Sequence, residues 1–163
     1  MTSAELIAAH WFERMLEGYP SQTAQFVSRE RDRFRNPVGH SFRQALGVLA
    51  EEVLGAMDPG RMAPALDEIV RIRAVQDFTA AEAVGFVFLL REVLAAEPPP
   101  LPAPNGHVED AGEVAGCQLQ RNVDALALMA FDAYMRCREE IAAIRGREAW
   151  RSPSGVSRDE CGS

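Results

Sequence analysis

The segment from Thr79 to about Ala96 constrains the fold most. It opens on Thr79-Ala80-Ala81-Glu82, a capping box in which the threonine and glutamate side chains satisfy each other's free backbone amides. Val84, Phe86, Val87, Phe88, Leu89 and Leu90 follow, and they make a helix that is apolar nearly all round. A helix with no polar face has to be covered on more than one side. This segment is therefore expected to be the central core helix, clasped by whatever the rest of the chain supplies.

What the rest supplies also reads as helix. Thr2-Ser3-Ala4-Glu5 is a second capping box, opening a helix to about Glu17 with Leu6, Ile7, Trp11, Met15 and Leu16 at spacings of three and four. Gly18-Tyr19-Pro20 ends it, since proline cannot continue a hydrogen-bonded helix. Ser21 is the expected cap of a shorter helix to about Arg31, with Phe26 and Val27 inward. Asn36-Pro37-Val38-Gly39 is a break, and a third helix is expected from about Gly39 to Ala56. Asp58-Pro59 caps a fourth, to about Val75, with proline at the first helical position.

Residues 97 to about 112, rich in proline, glycine and acids, read as a long surface loop. A sixth helix is expected from about Glu113 to Glu148, its end projecting from the domain. Its seam runs through Leu119, Val123, Leu126, Ala130, Tyr134, Cys137, Ile141 and Ile144 at alternating threes and fours, close to a heptad. Leu119, Val123, Leu126, Tyr134 and Ile141 are the expected dimer seam. The organisation expected is one helical domain over 1–150, with residues 151–163 a disordered tail.

Composition closes several functions. The net charge of -7 repels phosphate backbones, so nucleic acid is an unsuitable partner. All 17 basic residues are arginine, which removes Schiff-base lysine and P-loop chemistry. The first residues lack the basic stretch and apolar run of a signal peptide. The longest strongly apolar run, Ala83 to Leu90, is too short to cross a bilayer. A cytoplasmic protein without membrane insertion is expected. Cys117, Cys137 and Cys161 are odd in number and widely spaced, which suits neither a disulfide framework nor a zinc site.

Candidate chemistry is sparse. His10, beside Trp11, could ligate haem or a metal, but no second ligand has matching spacing, and a structural histidine is the simpler reading. His40 could bond backbone groups freed at the Asn36-Pro37 break, and His107 falls in the loop. Glu51-Glu52 and Glu139-Glu140 are sequence neighbours that diverge on a helix, so neither is a catalytic dyad. No cofactor, metal or catalytic residue is assigned, and the chain is read as no enzyme. Arg71, Arg73 and Asp77 form the most unusual stretch. They suit either a tight corner held by caps and an Arg–Asp pair, or an anion or partner-docking site. The run Arg29 to Arg35 alternates in sign, as a solvated surface or a docking surface would.

Four stretches together resemble one family: Arg33 to His40; Met57-Asp58 with Pro64 to Asp67; Ile69 to Val84; and Leu126 to Ile144, containing Phe131-Asp132-Ala133-Tyr134 and Cys137-Arg138-Glu139. The pattern, over about residues 5 to 148, is similar to the RsbRD N-terminal domain, named for RsbT co-antagonist proteins of the bacterial stressosome. The resemblance implies an all-α, globin-like bundle of about five to six helices without haem, often dimeric, with a long C-terminal helix. It implies a sensory module whose last helix passes a signal onward to a STAS domain. The function expected is a free-standing, non-enzymatic module of bacterial signalling with a protein partner, as a homodimer. The alternatives are a ligand- or haem-binding globin relative and an accessory protein of a redox enzyme complex.

Overall fold

The computed structural model describes residues 1–76, 78–100 and 108–151, without the side chains of 108–112. Among the described residues every regular element is α-helical: α1 (Ser3–Leu16), α2 (Ser21–Arg29), α3 (Pro37–Leu54), α4 (Pro59–Val75), α5 (Ala80–Ala96) and α6 (Val108–Arg151). This is the globin-like helical bundle with a long last helix. Of the predicted tail, 151–163, Arg151 is instead the last residue of α6 and 152–163 lie outside the described residues; of the predicted loop, 101–107 lie outside them and 108–112 already belong to α6.

Local chemistry places the helix starts. Both capping boxes form, Thr2 with Glu5 and Thr79 with Glu82. Asp58 accepts from the Gly60 amide at 2.9 Å, and Pro59 occupies the first helical position. The start of α2 differs from expectation. Ser21 is its first helical residue, and the cap position falls to Pro20, which makes no side-chain cap bond.

Asn36 holds the α2–α3 corner and is 2% exposed. Its Oδ1 accepts from the Gly39 amide at 2.9 Å, capping α3. Its Nδ2 donates to the Val27 and Glu30 carbonyls, both at 2.9 Å, closing α2. Arg43 adds bonds to the Val27 and Ser28 carbonyls at 2.8 Å. One amide thus satisfies groups that two helix ends would otherwise leave orphaned. A Cβ on Gly39 would sit 2.8 Å from the Asn36 Cγ, so the glycine is what lets the cap close.

The helices close into a ring: α1 packs on α3, α3 on α4, α4 on α6, α6 on α5, and α5 back on α1. Trp11, Leu46, Met62, Phe86 and Leu126 fill the middle. Trp11 stacks on Phe86 with ring centroids 5.7 Å apart, and its indole donates to the Phe86 carbonyl at 2.6 Å. Burying Trp11 requires a partner for that N–H, and the α5 backbone provides it.

Two expectations are corrected here. First, α5 is covered on several sides, by α1, α4 and α6, as a core helix must be, but not all round, because Phe88 faces solvent. Second, Leu119, Val123, Leu126 and Tyr134 are buried inside the protomer, and Ile141 is half-buried. The core of its own chain covers this seam. A stripe at spacings of three and four arises equally from an intramolecular or an intermolecular neighbour, so periodicity alone could not separate the two.

Helix α6 has 44 residues, a length of about 66 Å at the α-helical rise. Its last buried side chain is Cys137, and beyond Ile141 every described side chain is exposed. The helix therefore outruns the bundle at its C-terminal end. Asn122 fixes its inner part by donating to the Val53 carbonyl at 2.8 Å.

Candidate functional site

Arg71 and Arg73 end the same helix, but two residues along a helix turn the side chain by about 200°. The structure accordingly does not bring them together. Arg71 is exposed and pairs with Glu140 of α6 at 3.4 Å. Arg73 turns inward and is 5% exposed. Asp77, the third member expected at this site, lies outside the described residues.

Arg73 sits in an aromatic cage. Its guanidinium carbon lies 4.4 Å from the Phe78 ring centroid, 5.5 Å from Tyr19 and 5.8 Å from Phe86. It donates to the Glu82 carbonyl at 2.8 Å and to the Tyr19 hydroxyl at 3.4 Å. Burial pushes the guanidinium below its ordinary pKa, and the neighbouring Tyr19 pulls it partly back. Arginine stays charged regardless, and ring faces stabilise it by about 0.5–2 kcal/mol each when desolvated. Burial also pushes the Tyr19 phenol up.

The geometry excludes an external anion at Arg73, because three rings and the Glu82 carbonyl already cover it. Its role is a junction. Tyr19 belongs to the turn after α1, Arg73 to the last turn of α4, and Glu82 to the first turn of α5. Tyr134 of α6 donates to the Phe78 carbonyl at 3.4 Å. Four helices therefore meet through one cation and its rings. The sequence offered Arg73 but not Tyr19, which reads simply as part of a helix-ending Gly-Tyr-Pro.

The candidate interaction surface is the outer side of α6. Leu128, Phe131 and Met135, 69%, 47% and 41% exposed, stand at spacings of three and four on the face opposite the buried seam. On neighbouring α5, Phe88 is 46% exposed. Trp150, 91% exposed, stands at the projecting end of α6. Arg91–Asp124 on the α5 side and Arg136–Asp67 on the α4 side bridge to adjacent helices, the second pair at 3.2 Å. Scattered exposed apolar residues are ordinary, but several on one face mark an association surface.

The histidines are peripheral. His10 Nδ1 meets Glu97 at 2.9 Å in an open groove between α1 and α5, and His40 is exposed on α3. Neither faces the apolar interior, which Trp11 and Phe86 fill. His107 lies outside the described residues. The alternating run at Arg29 to Arg35 forms an exposed turn, in which Asp32 accepts from the Phe34 amide at 2.8 Å. Cys117 is exposed and Cys137 buried, both as free thiols, and burial raises the Cys137 pKa. Cys161 lies outside the described residues. No helix among the described residues is long and apolar enough to cross a membrane.

No curated protein and no solved structure matches the chain significantly. The family model described as the RsbT co-antagonist protein rsbRD N-terminal domain matches residues 5–149, which include the aromatic junction and all but the tip of α6. The chain belongs to the RsbRD N-terminal domain family.

Proposed function

We propose that this domain is a non-enzymatic sensory and protein-interaction module of stressosome-type signalling, working in the cytoplasm as a homodimer. The observation that supports it most is the apolar face of α6 that stays exposed among the described residues, at Leu128, Phe131 and Met135. Removing the exposed parts of these side chains from water in an interface would favour association. Two copies meeting here would juxtapose their α6 helices and leave the projecting ends side by side, free to carry a change in packing outward.

The junction at Arg73 suits that role. It ties α6 at Tyr134 to the ends of α1 and α4, so a shift at those ends reaches the interface helix.

Sedimentation equilibrium of the wild type and of Leu128→Glu/Met135→Glu tests the reading. These positions are exposed, so the variant should fold and sediment as a monomer where the wild type is a dimer. An unchanged assembly would remove α6 from the interface. Affinity purification from the native cell should recover signalling proteins. Recovery of a redox enzyme complex instead would overturn the signalling assignment.

A further inference from the structure

A cavity of about 170 Å³ lies between the end of α1, α2 and the start of α3. Leu16, Phe26, Val27, Val38 and Phe42 form its apolar walls. Tyr19 and Gln76 stand at its polar side, joined by a hydrogen bond of 3.1 Å. An enclosed apolar cavity of about 150 Å³ admits one benzene-sized molecule. This pocket opens to solvent past Thr23, Phe26 and Arg35, and its inner space has room for a single ring whose substituent points to that opening.

The charge of that substituent follows from the lining. Among the described residues Arg35 is the one ionised side chain on the wall, held only loosely by Glu30 at 3.6 Å. Asn36, Pro37 and Val38, at the N-terminal end of the 18-residue α3, also line the cavity, and that end of a helix carries positive potential. The opposing carbonyls at the end of α2 are already bonded by Asn36 and Arg43. The site is thus apolar within and cationic at its edge.

We propose that this cavity binds a small aromatic carboxylate, with its ring among Phe26, Val27, Val38 and Phe42 and its carboxylate at Arg35. The occupant would press on Tyr19, whose ring lies edge-on to Phe78 at 5.4 Å and whose hydroxyl accepts from Arg73. The ligand would then act on the junction that reaches α6. That consequence rests on the sensory reading above, whereas binding itself does not.

The test is titration of the full chain with benzoate, benzyl alcohol and acetate, followed by amide NMR shifts. Benzoate should bind saturably, with shifts centred on Leu16, Thr23, Val27 and Val38. It should bind about tenfold tighter than benzyl alcohol, the worth of one charge-assisted contact, and acetate should not saturate. Arg35→Gln, at an exposed position, should bring benzoate to the level of benzyl alcohol and leave the alcohol unchanged. Val38→Phe should fill the cavity and abolish both. Should Val38→Phe fail to fold, the Arg35→Gln comparison decides alone. Equal affinity for benzoate and benzyl alcohol in the wild type, a preference that survives Arg35→Gln, or shifts centred elsewhere would overturn the site. If benzoate binds but leaves assembly and partner capture unchanged, the sensory reading falls and the site stands. Absent binding with intact partner capture gives the converse.

Discussion

Replacing Asn36 by alanine should cost far more than an ordinary cap. Its Oδ1 caps α3 through the Gly39 amide, a contribution of about 1 kcal/mol. Its Nδ2 bonds to the Val27 and Glu30 carbonyls are worth about 0.5–1 kcal/mol each, and Val27 keeps its bond from Arg43. The sum is about 2–3 kcal/mol. For a chain of 163 residues this lowers Tm by about 4–12 °C. Asn36→Asp discriminates between a cap and a corner. Aspartate caps as well as asparagine, so a residue acting only at the start of α3 would tolerate it. A carboxylate facing the Val27 and Glu30 carbonyls has no proton to donate, so Asn36→Asp should lose at least as much as Asn36→Ala. Urea unfolding followed by circular dichroism at 222 nm reads both. A wild-type midpoint for Asn36→Asp would refute the two-helix role.

Three further outcomes follow from burial and charge. Arg73→Ala should destabilise by about 3 kcal/mol, through lost ring packing and the lost bond to the Glu82 carbonyl, while Arg71→Ala, which breaks one exposed pair, should stay within about 0.5 kcal/mol. Equal costs in urea unfolding would contradict their separate environments. Leu126→Ala should cost about 2–5 kcal/mol, but Leu128→Ala near zero at protein concentrations low enough to keep the chain monomeric. Hydrogen bonds from Thr79 hold the Glu82 carboxyl below its ordinary pKa. Its contribution is therefore complete above the ordinary carboxylate range and fades as pH falls through its folded value. The thermal stability gap between wild type and Glu82→Gln should accordingly be present at pH 7 and narrow towards pH 3; a gap that widens on acidification would reverse the assignment.

The helix starts were legible because their causes are local. Thr2 with Glu5, Thr79 with Glu82, and Asp58 before Pro59 each act within four residues, so the chain carries the whole interaction in one short stretch. Asn36-Pro37-Val38-Gly39 was visible as a break. Its hold on the end of α2 was not, because Val27 lies nine residues away and only the bend at Asp32 brings it near. The candidate sites were less legible for the same reason. Arg71 and Arg73 look equivalent in sequence, and the partners that part them, Glu140, Phe86 and the Tyr19 ring in the turn after α1, come from distant parts of the chain. The cavity joins residues from Leu16 to Gln76 that no spacing rule connects.

Local signals thus carry the helical character of the chain and the starts of α1, α4 and α5, though not the start of α6 at Val108 or the side of α2 that turns inward, where Phe26, expected inside, is exposed. What covers each apolar side is a matter of long-range packing: the chain's own core covers the Leu126 seam, and nothing among the described residues covers the Leu128 face. The physical reason is range. Capping and periodicity are set within one or two turns, whereas burial depends on which distant helix arrives, and an apolar stripe exerts the same non-directional attraction on any of them.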